Sequence, residues 1–318
     1  MFKIIGMTKL IWKLFKIVLT LLLAFLMYVV IGGVVPFLHH PDVSQTKKEA
    51  VESTQFYSDS VGPDRATIIE DNEEALKMRL RVIKDAQKTL ILSTFDFRSD
   101  DAGKDILAAL LNAADRGVKV EIFADGFNSI IQMENNDYFY ALSSNKNIKI
   151  IIYNQVNILI PWNGLGRMHD KYVIADDSLY ILGGRNTFGY FLGDYAGHKN
   201  YDRDVLVYNT GSKASSIYQI KDYYKKITSQ KCCSVFHCNE SLGEKNSVKK
   251  AEQELKNRYE SLENKYDKFL AENYDYKANT YETNKINLLS NPTSLYTKQP
   301  TVYYGLMYLA KNAKKEVK

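Results

Sequence analysis

The sequence predicts an α/β protein: an α-β-α sandwich with a mixed, partly parallel sheet, preceded by one N-terminal transmembrane helix. Three observations lead there. Residues 17–35 run for nineteen residues without a charge. Residues 75–123 hold two successive helix-into-strand patterns. Residues 167–186 read as two short strands joined by a turn, and they bring a compact set of polar groups together.

The N-terminal run is close to the ~20 residues needed to cross a bilayer as a helix. No small-x-small cleavage site follows it, so it reads as an anchor and not a removed signal. Lys3, Lys9, Lys13 and Lys16 precede the run, whereas Lys47 and Lys48 beyond it are offset by Asp42 and Glu49. The positive-inside rule then places the N-terminus in the cytoplasm and the main domain outside, as a single-pass protein of the cell membrane. His39 and His40, just before Pro41, read as a solvated juxtamembrane bend. The net charge is +5 over 318 residues. Those four lysines account for most of it, so the rest is nearly neutral and no nucleic-acid partner is expected.

Residues 39–65 are polar and aperiodic, and are expected to be a linker, with order beginning at Ala66. Leu76, Leu80, Ile83 and Ala86 recur at helical spacing behind an acidic lead, which predicts a helix over 75–87. A strand follows at 90–95, a second helix at 101–116 closing on Gly117, and a strand at 118–123. Residues 148–153 add another strand before the Pro161 loop. Tyr172–Ala175 and residues 179–182 form the two arms of a hairpin, with Asp176, Asp177 and Ser178 as its turn.

Within that hairpin, His169 and Lys171 are two apart and share one face of an extended chain. The hairpin is expected to return Asn186 to their level, with Gly183 and Gly184 letting a bulky group approach. An imidazole, an ammonium and a carboxamide converging on one point suit an anionic tetrahedral group such as a phosphodiester. The imidazole can attack phosphorus and form a phosphohistidine. Lys171, Asn186 and the backbone at Gly184 can hold the non-bridging oxygens. No metal or other cofactor is called for.

The spacing His-x-Lys-x4-Asp-x6-Gly-Gly-x-Asn resembles the HKD motif of the phospholipase D superfamily. Its ending, Gly183-Gly-Arg-Asn186, looks most like the cardiolipin-synthase branch. Residues 71–126 are similar to the opening half of bacterial cardiolipin synthases, with Asp101, Gly103, Arg116-Gly-Val-Lys-Val120 and Asp125 as points of likeness. The resemblance implies the phospholipase D-type sandwich and a covalent phosphohistidine on His169. It also implies a carboxylate that orients this histidine, supplied by an Asp-x-Asp-Val stretch. Asp204 is the first choice and Asp202 the second. Asp176 at the turn, with Gly183 and Arg185, reads as structural, and Asp170 and Asp177 read as solvated neighbours.

Family members carry two such halves, and this chain has one complete motif; His198-Lys-Asn lacks the Gly-Gly-x-Asn partner. Residues 305–318 can be laid over 78–91, matching Lys311 to Lys84 and Ala313 to Ala86. They read as the start of a second copy, within a 296–318 segment that follows the 66–230 domain and a 231–295 insert. That insert carries Cys232, Cys233 and Cys238, for which one disulfide is expected if the domain lies outside the cell, and an amphipathic helix over 248–274. The expected activity is phosphatidyl transfer at a membrane on a phospholipid substrate. The partner is a second motif-bearing half in cis or in a homodimer. The alternatives are a superfamily phosphodiesterase acting on nucleic acid, or a non-catalytic half that binds lipid phosphate.

Overall fold

The computed structural model describes residues 2–237, 240–270, 274–291 and 293–314. Helix α1, Phe2–Val34, runs through the uncharged stretch. Lys9–Phe37 is long and apolar enough to cross a bilayer, and the protein buries none of its most apolar window. Residues 39–65 are not a bare linker. They contain α2, Gln45–Glu52, whose single buried residue is Val51. One apolar contact leaves no periodicity to read, which is why the sequence did not announce this helix.

Nine strands form one sheet in the order β8-β4-β3-β2-β5-β6-β7-β1-β9. They are β1 Asp64–Ile69, β2 Thr89–Thr94, β3 Lys119–Asp125, β4 Ile148–Tyr153, β5 Tyr172–Ala175, β6 Leu179–Gly183, β7 Asp204–Asn209, β8 Cys233–Val235 and β9 Tyr281–Glu282. Strands β2, β3 and β4 run parallel, and every other pairing is antiparallel. Helices α3 Asn72–Asp85, α4 Asp101–Asp115 and α5 Asp137–Ser144 connect the first four strands, as crossovers between parallel strands require.

Local chemistry sets these bounds. Helix α3 starts three residues earlier than its apolar spacing suggests, because the Asp71 carboxylate accepts from the Glu73 and Glu74 N–H groups. Helix α4 is capped by Asp100 on Gly103 N and is followed by Gly117 at φ +95°.

Side chains alternate across the sheet into two cores. Val120 and Ile122 of β3 join Leu76, Leu80, Ile106 and Leu110 on the α3/α4 side, closed by Leu255 and Leu262 of α7, Asn246–Lys265. Phe123 points the other way, with Ile174 and Val207, onto Ile220 and Tyr224 of α6, Ile217–Thr228. The helix expected over 248–274 thus ends as α7 at Lys265, and residues 271–273 lie outside the described set. Cys232 and Cys233 carry free thiols, and Cys238 lies outside the described residues. Helix α8, Thr301–Lys311, packs on α2, with Tyr304 Oη on the Glu52 carboxylate. The strand half of the expected second copy, 315–318, is likewise not described.

One feature of the sheet positions the site. Tyr172 at the start of β5 pairs with Ser93 near the end of β2. The residues just before β5 therefore emerge at the carboxyl ends of the three parallel strands, the edge where α/β sheets commonly bind ligands.

Candidate active site

Buried Asp125, the last residue of β3, grips the chain ahead of β5. Its carboxylate lies 3.2 Å from Arg167 Nη1 and accepts from Met168 N at 2.9 Å. Arg167 also donates to the Asn154 carbonyl at the end of β4. With Met168 buried, His169 stands exposed and Lys171 turns inward. Lys171 Nζ lies 2.9 Å from His169 Nδ1 and 2.8 Å from the His169 carbonyl oxygen. The Phe95 ring supports both, 4.7 Å from the imidazole and 5.6 Å from the ammonium.

Burial brings the Lys171 pKa down to about 8, with Asp170, Asp202 and Asp96 acting against the shift. Burial and then the Lys171 charge hold His169 below its usual 6.5. At neutral pH the pair is thus a neutral imidazole beside an ammonium. A charged lysine can only donate, so Nδ1 accepts and the ring hydrogen sits on Nε2.

The hairpin returns its far end to this edge, where Gly183 N donates to the Lys171 carbonyl at 3.3 Å. Asn186 Oδ1 accepts from Asp96 N at 3.1 Å, beside the residue that stacks on His169. The Asn186 amide nitrogen has no hydrogen-bond partner among the described residues. No hydrogen bond joins Asn186 to His169 or Lys171.

Two expectations are corrected. The space that Gly183 and Gly184 open is filled by protein: a Cβ on Gly183 would overlap the Asp204 carboxylate, and one on Gly184 that of Asp202. Asp204 itself does not orient the imidazole. It opens β7 directly opposite Gly183, and its buried Oδ2 lies 2.8 Å from Arg79 Nη1 and 3.1 Å from Arg185 Nη1. Its other oxygen is buried without a hydrogen bond. Asp202 accepts from Arg203 N and reaches Lys171 only through its charge.

The remaining motif residues brace the edge. Arg185 is fully buried, with Nε on Asn72 Oδ1 at 3.1 Å, Nη1 on the Ile69 carbonyl at 3.2 Å and Nη2 on the Glu70 carbonyl. It ties the end of β6 to the β1–α3 corner. Asp176 takes φ +53° at the turn, and its carboxylate accepts from the N–H groups of Gln87, Lys88 and Thr89 at 2.8–2.9 Å.

Asp170 is not a solvated neighbour. It accepts from Tyr223 Oη at 2.8 Å, with Thr293 Oγ1 at 3.5 Å, and burial raises its pKa. Lys298 also comes near, its pKa lowered by burial and partly restored by Asp170. Together with Leu289 and Val302, His169, Lys171 and Tyr223 line a cavity of about 310 Å³. Nothing local in the sequence marks Tyr223, Thr293 or Lys298, which arrive from α6 and from the segment before α8. Phe95 and Asp96 had a weak signal, as the residues just past the first parallel strand.

Residues 80–227 match the family described as cardiolipin synthase, PLD-like domain. The chain thus carries a phospholipase D-like domain over these residues. Its phospholipase D-like domain is 32% identical over 142 residues to cardiolipin synthase B of Salmonella typhi, covering 44% of this chain and 34% of the relative. It is 31% identical over 144 residues to cardiolipin synthase B of Escherichia coli K12. The match spans about a third of the length of these curated relatives. Among solved structures, NucT from Helicobacter pylori aligns at 21% identity and a TM-score of 0.43, over 54% of this chain and 99% of its own. His169, Lys171, Asn186 and Asp204 all fall inside the phospholipase D-like region, whereas α1, α7 and α8 lie outside it.

Proposed function

We propose that the protein is a membrane-anchored phosphatidyltransferase of the cardiolipin-synthase type, working through a phosphohistidine on His169. The observation that carries this is the contact of 2.9 Å between Lys171 Nζ and Nδ1 of an exposed imidazole at the mouth of a cavity. An ammonium held there can take a phosphate oxygen while the ring nitrogen faces phosphorus.

The substrate anion draws Lys171 off Nδ1 and onto its own oxygen. The ring hydrogen is then free to move from Nε2 to Nδ1, which leaves an Nε2 lone pair. Attack forms the N–P bond and breaks the bond from phosphorus to the departing alkoxide, which takes a proton from an acid. In the second step the oxygen of an incoming alcohol or water attacks phosphorus and gives its proton to a base, and the N–P bond breaks. Lys171 and the Asn186 amide stabilise the oxygens as charge shifts onto them.

His169 is bonded to phosphorus between the steps and cannot serve as that acid and base. His198 contacts Asn200 and His237 contacts Glu134, and neither is followed by the Gly-Gly-x-Asn element of the motif. The second set would come from another half, in cis or in a homodimer. The likeness to cardiolipin synthase B and the nearly neutral charge beyond the N-terminal lysines both favour a lipid over nucleic acid.

The test is to supply phosphatidylglycerol vesicles and DNA in parallel, to quench the reaction in alkaline denaturant, where an N–P bond survives, and to look for an adduct that acid then releases. Lipid turnover with an adduct that disappears in His169→Ala is expected. DNA cleavage without lipid turnover would move the protein to the nuclease reading, and turnover without any adduct would remove His169 as the nucleophile.

A further inference from the structure

We infer that residues 155–166, the loop between β4 and the motif, form a second membrane contact that enters the headgroup–acyl boundary beside α1. The inference rests on α1 being a membrane span, and adds that the catalytic edge itself is held against the lipid. The loop reads Gln-Val-Asn-Ile-Leu-Ile-Pro-Trp-Asn-Gly-Leu-Gly and has no charged residue. It exposes Ile158 by 58%, Leu159 by 64%, Trp162 by 39% and Leu165 by 57%, a contiguous apolar tip of a kind soluble surfaces avoid.

The loop is seated on the span. Tyr28 Oη donates to the Leu159 carbonyl at 2.9 Å, and the Tyr28 and Trp162 rings meet edge-on at 6.5 Å. Gly32 lies directly against the Pro161 ring. Tyr28 precedes the last residue of α1 by six positions, so Leu159 sits ~9 Å below the end of that helix along its axis. A loop fixed at that depth cannot stay in water if α1 crosses the bilayer.

The turn around Pro161 satisfies part of its own backbone. Irregular chain inside lipid must satisfy its own polar groups. Leu159 N donates to Asn157 Oδ1, Ile160 N to the Asn157 carbonyl, Asn163 N to that of Ile160, and Gly164 N to that of Pro161. Pro161 has no N–H to satisfy. At the end of the neighbouring β3, Phe127, Ile130 and Ile131 are also exposed and extend the apolar edge. The occupant is therefore the bilayer that holds α1, and the interface carries His169 to the level of the phosphates.

Trp12 and Trp162 are the only tryptophans, so the full-length Trp12→Phe chain reports on the loop alone. It would be reconstituted in phosphatidylcholine–phosphatidylglycerol vesicles. Lipid brominated near the ester end of the acyl chain should extinguish most Trp162 emission, and aqueous iodide should extinguish little. Ile158→Ser with Leu159→Ser should reverse that preference while the protein still floats with the vesicles. Flotation that resists alkaline carbonate tests the anchor separately, and its loss would overturn the anchor and the loop contact together. With the anchor intact, quenching by iodide and not by bromine would put the loop in water and overturn the inference. Shielding from both quenchers would mean that protein, such as a second copy, covers the loop, and would overturn it as well.

Discussion

At the scale of the residue, the site is a pair, His169 and Lys171, whose protonation is set by burial. The titration of Lys171 near pH 8 gives a binding test that needs no second half. An anion that does not itself titrate in this range, such as sulfate, favours the ammonium, so its affinity for the free chain should fall as pH rises through about 8. Lys171→Met should bind more weakly and lose that limb; an unchanged profile would show that the anion sits elsewhere. Asp204 makes the contrasting case. Asp204→Ala leaves Arg79 and Arg185 buried without their carboxylate and should cost ~3–5 kcal/mol in chemical denaturation, whereas His169→Ala, at an exposed position, should cost little. A fully stable Asp204→Ala chain with no activity would restore a direct catalytic role. The pair was legible because both members lie within three residues of one extended strand. The misassigned carboxylate shows the limit of such reading. Sequence marks an acid at the start of β7, but not that α3 supplies Arg79 to meet it.

At the scale of the element, the β5–β6 hairpin carries the motif and Asp176 pins it to the α3–β2 corner. Asp176→Ala removes three acceptor contacts at a partly exposed turn, and should destabilise the protein by about 2 kcal/mol. Turnover at a temperature well below unfolding should change far less; a loss as deep as that of His169→Ala would place this carboxylate in the chemistry. The elements that the sequence revealed are those with many apolar positions in one period: α3, α4, α7 and the parallel strands. Helix α2 and the two-residue β9 bury too little side chain to leave a pattern. The wall of the cavity opposite His169 escaped for a related reason. Residues 288–291 and 293–302 are held by contacts to distant parts of the chain, such as Gln230 Nε2 on the Thr293 carbonyl, which no local period records.

At the scale of the whole molecule, the proposed shared site predicts an assembly. A chain lacking a second imidazole forgoes a general acid worth about 10²–10⁴ in rate. Phosphatidyl transfer measured across a dilution series in detergent should therefore vanish as the chain becomes monomeric; robust turnover by a verified monomer would end the shared-site argument. Protease added to intact cells should digest the sheet domain if the N-terminal lysines stay inside, and protection until lysis would reverse that orientation. The long apolar helix α1 and the sandwich were legible from composition and period, but the seating of one on the other was not, because it depends on Tyr28 meeting a loop far along the chain. The sheet order also has a consequence in time. Strand β1 leaves the ribosome first, yet its neighbours are β7 and β9, so it must wait through the synthesis of most of the domain before it can pair. Closing so long a loop is slow and leaves an edge bare in the meantime. If α1 is lodged in the bilayer as proposed, that wait is spent tethered and apart from other chains, which is one route by which an anchor can protect a nascent sheet from aggregation.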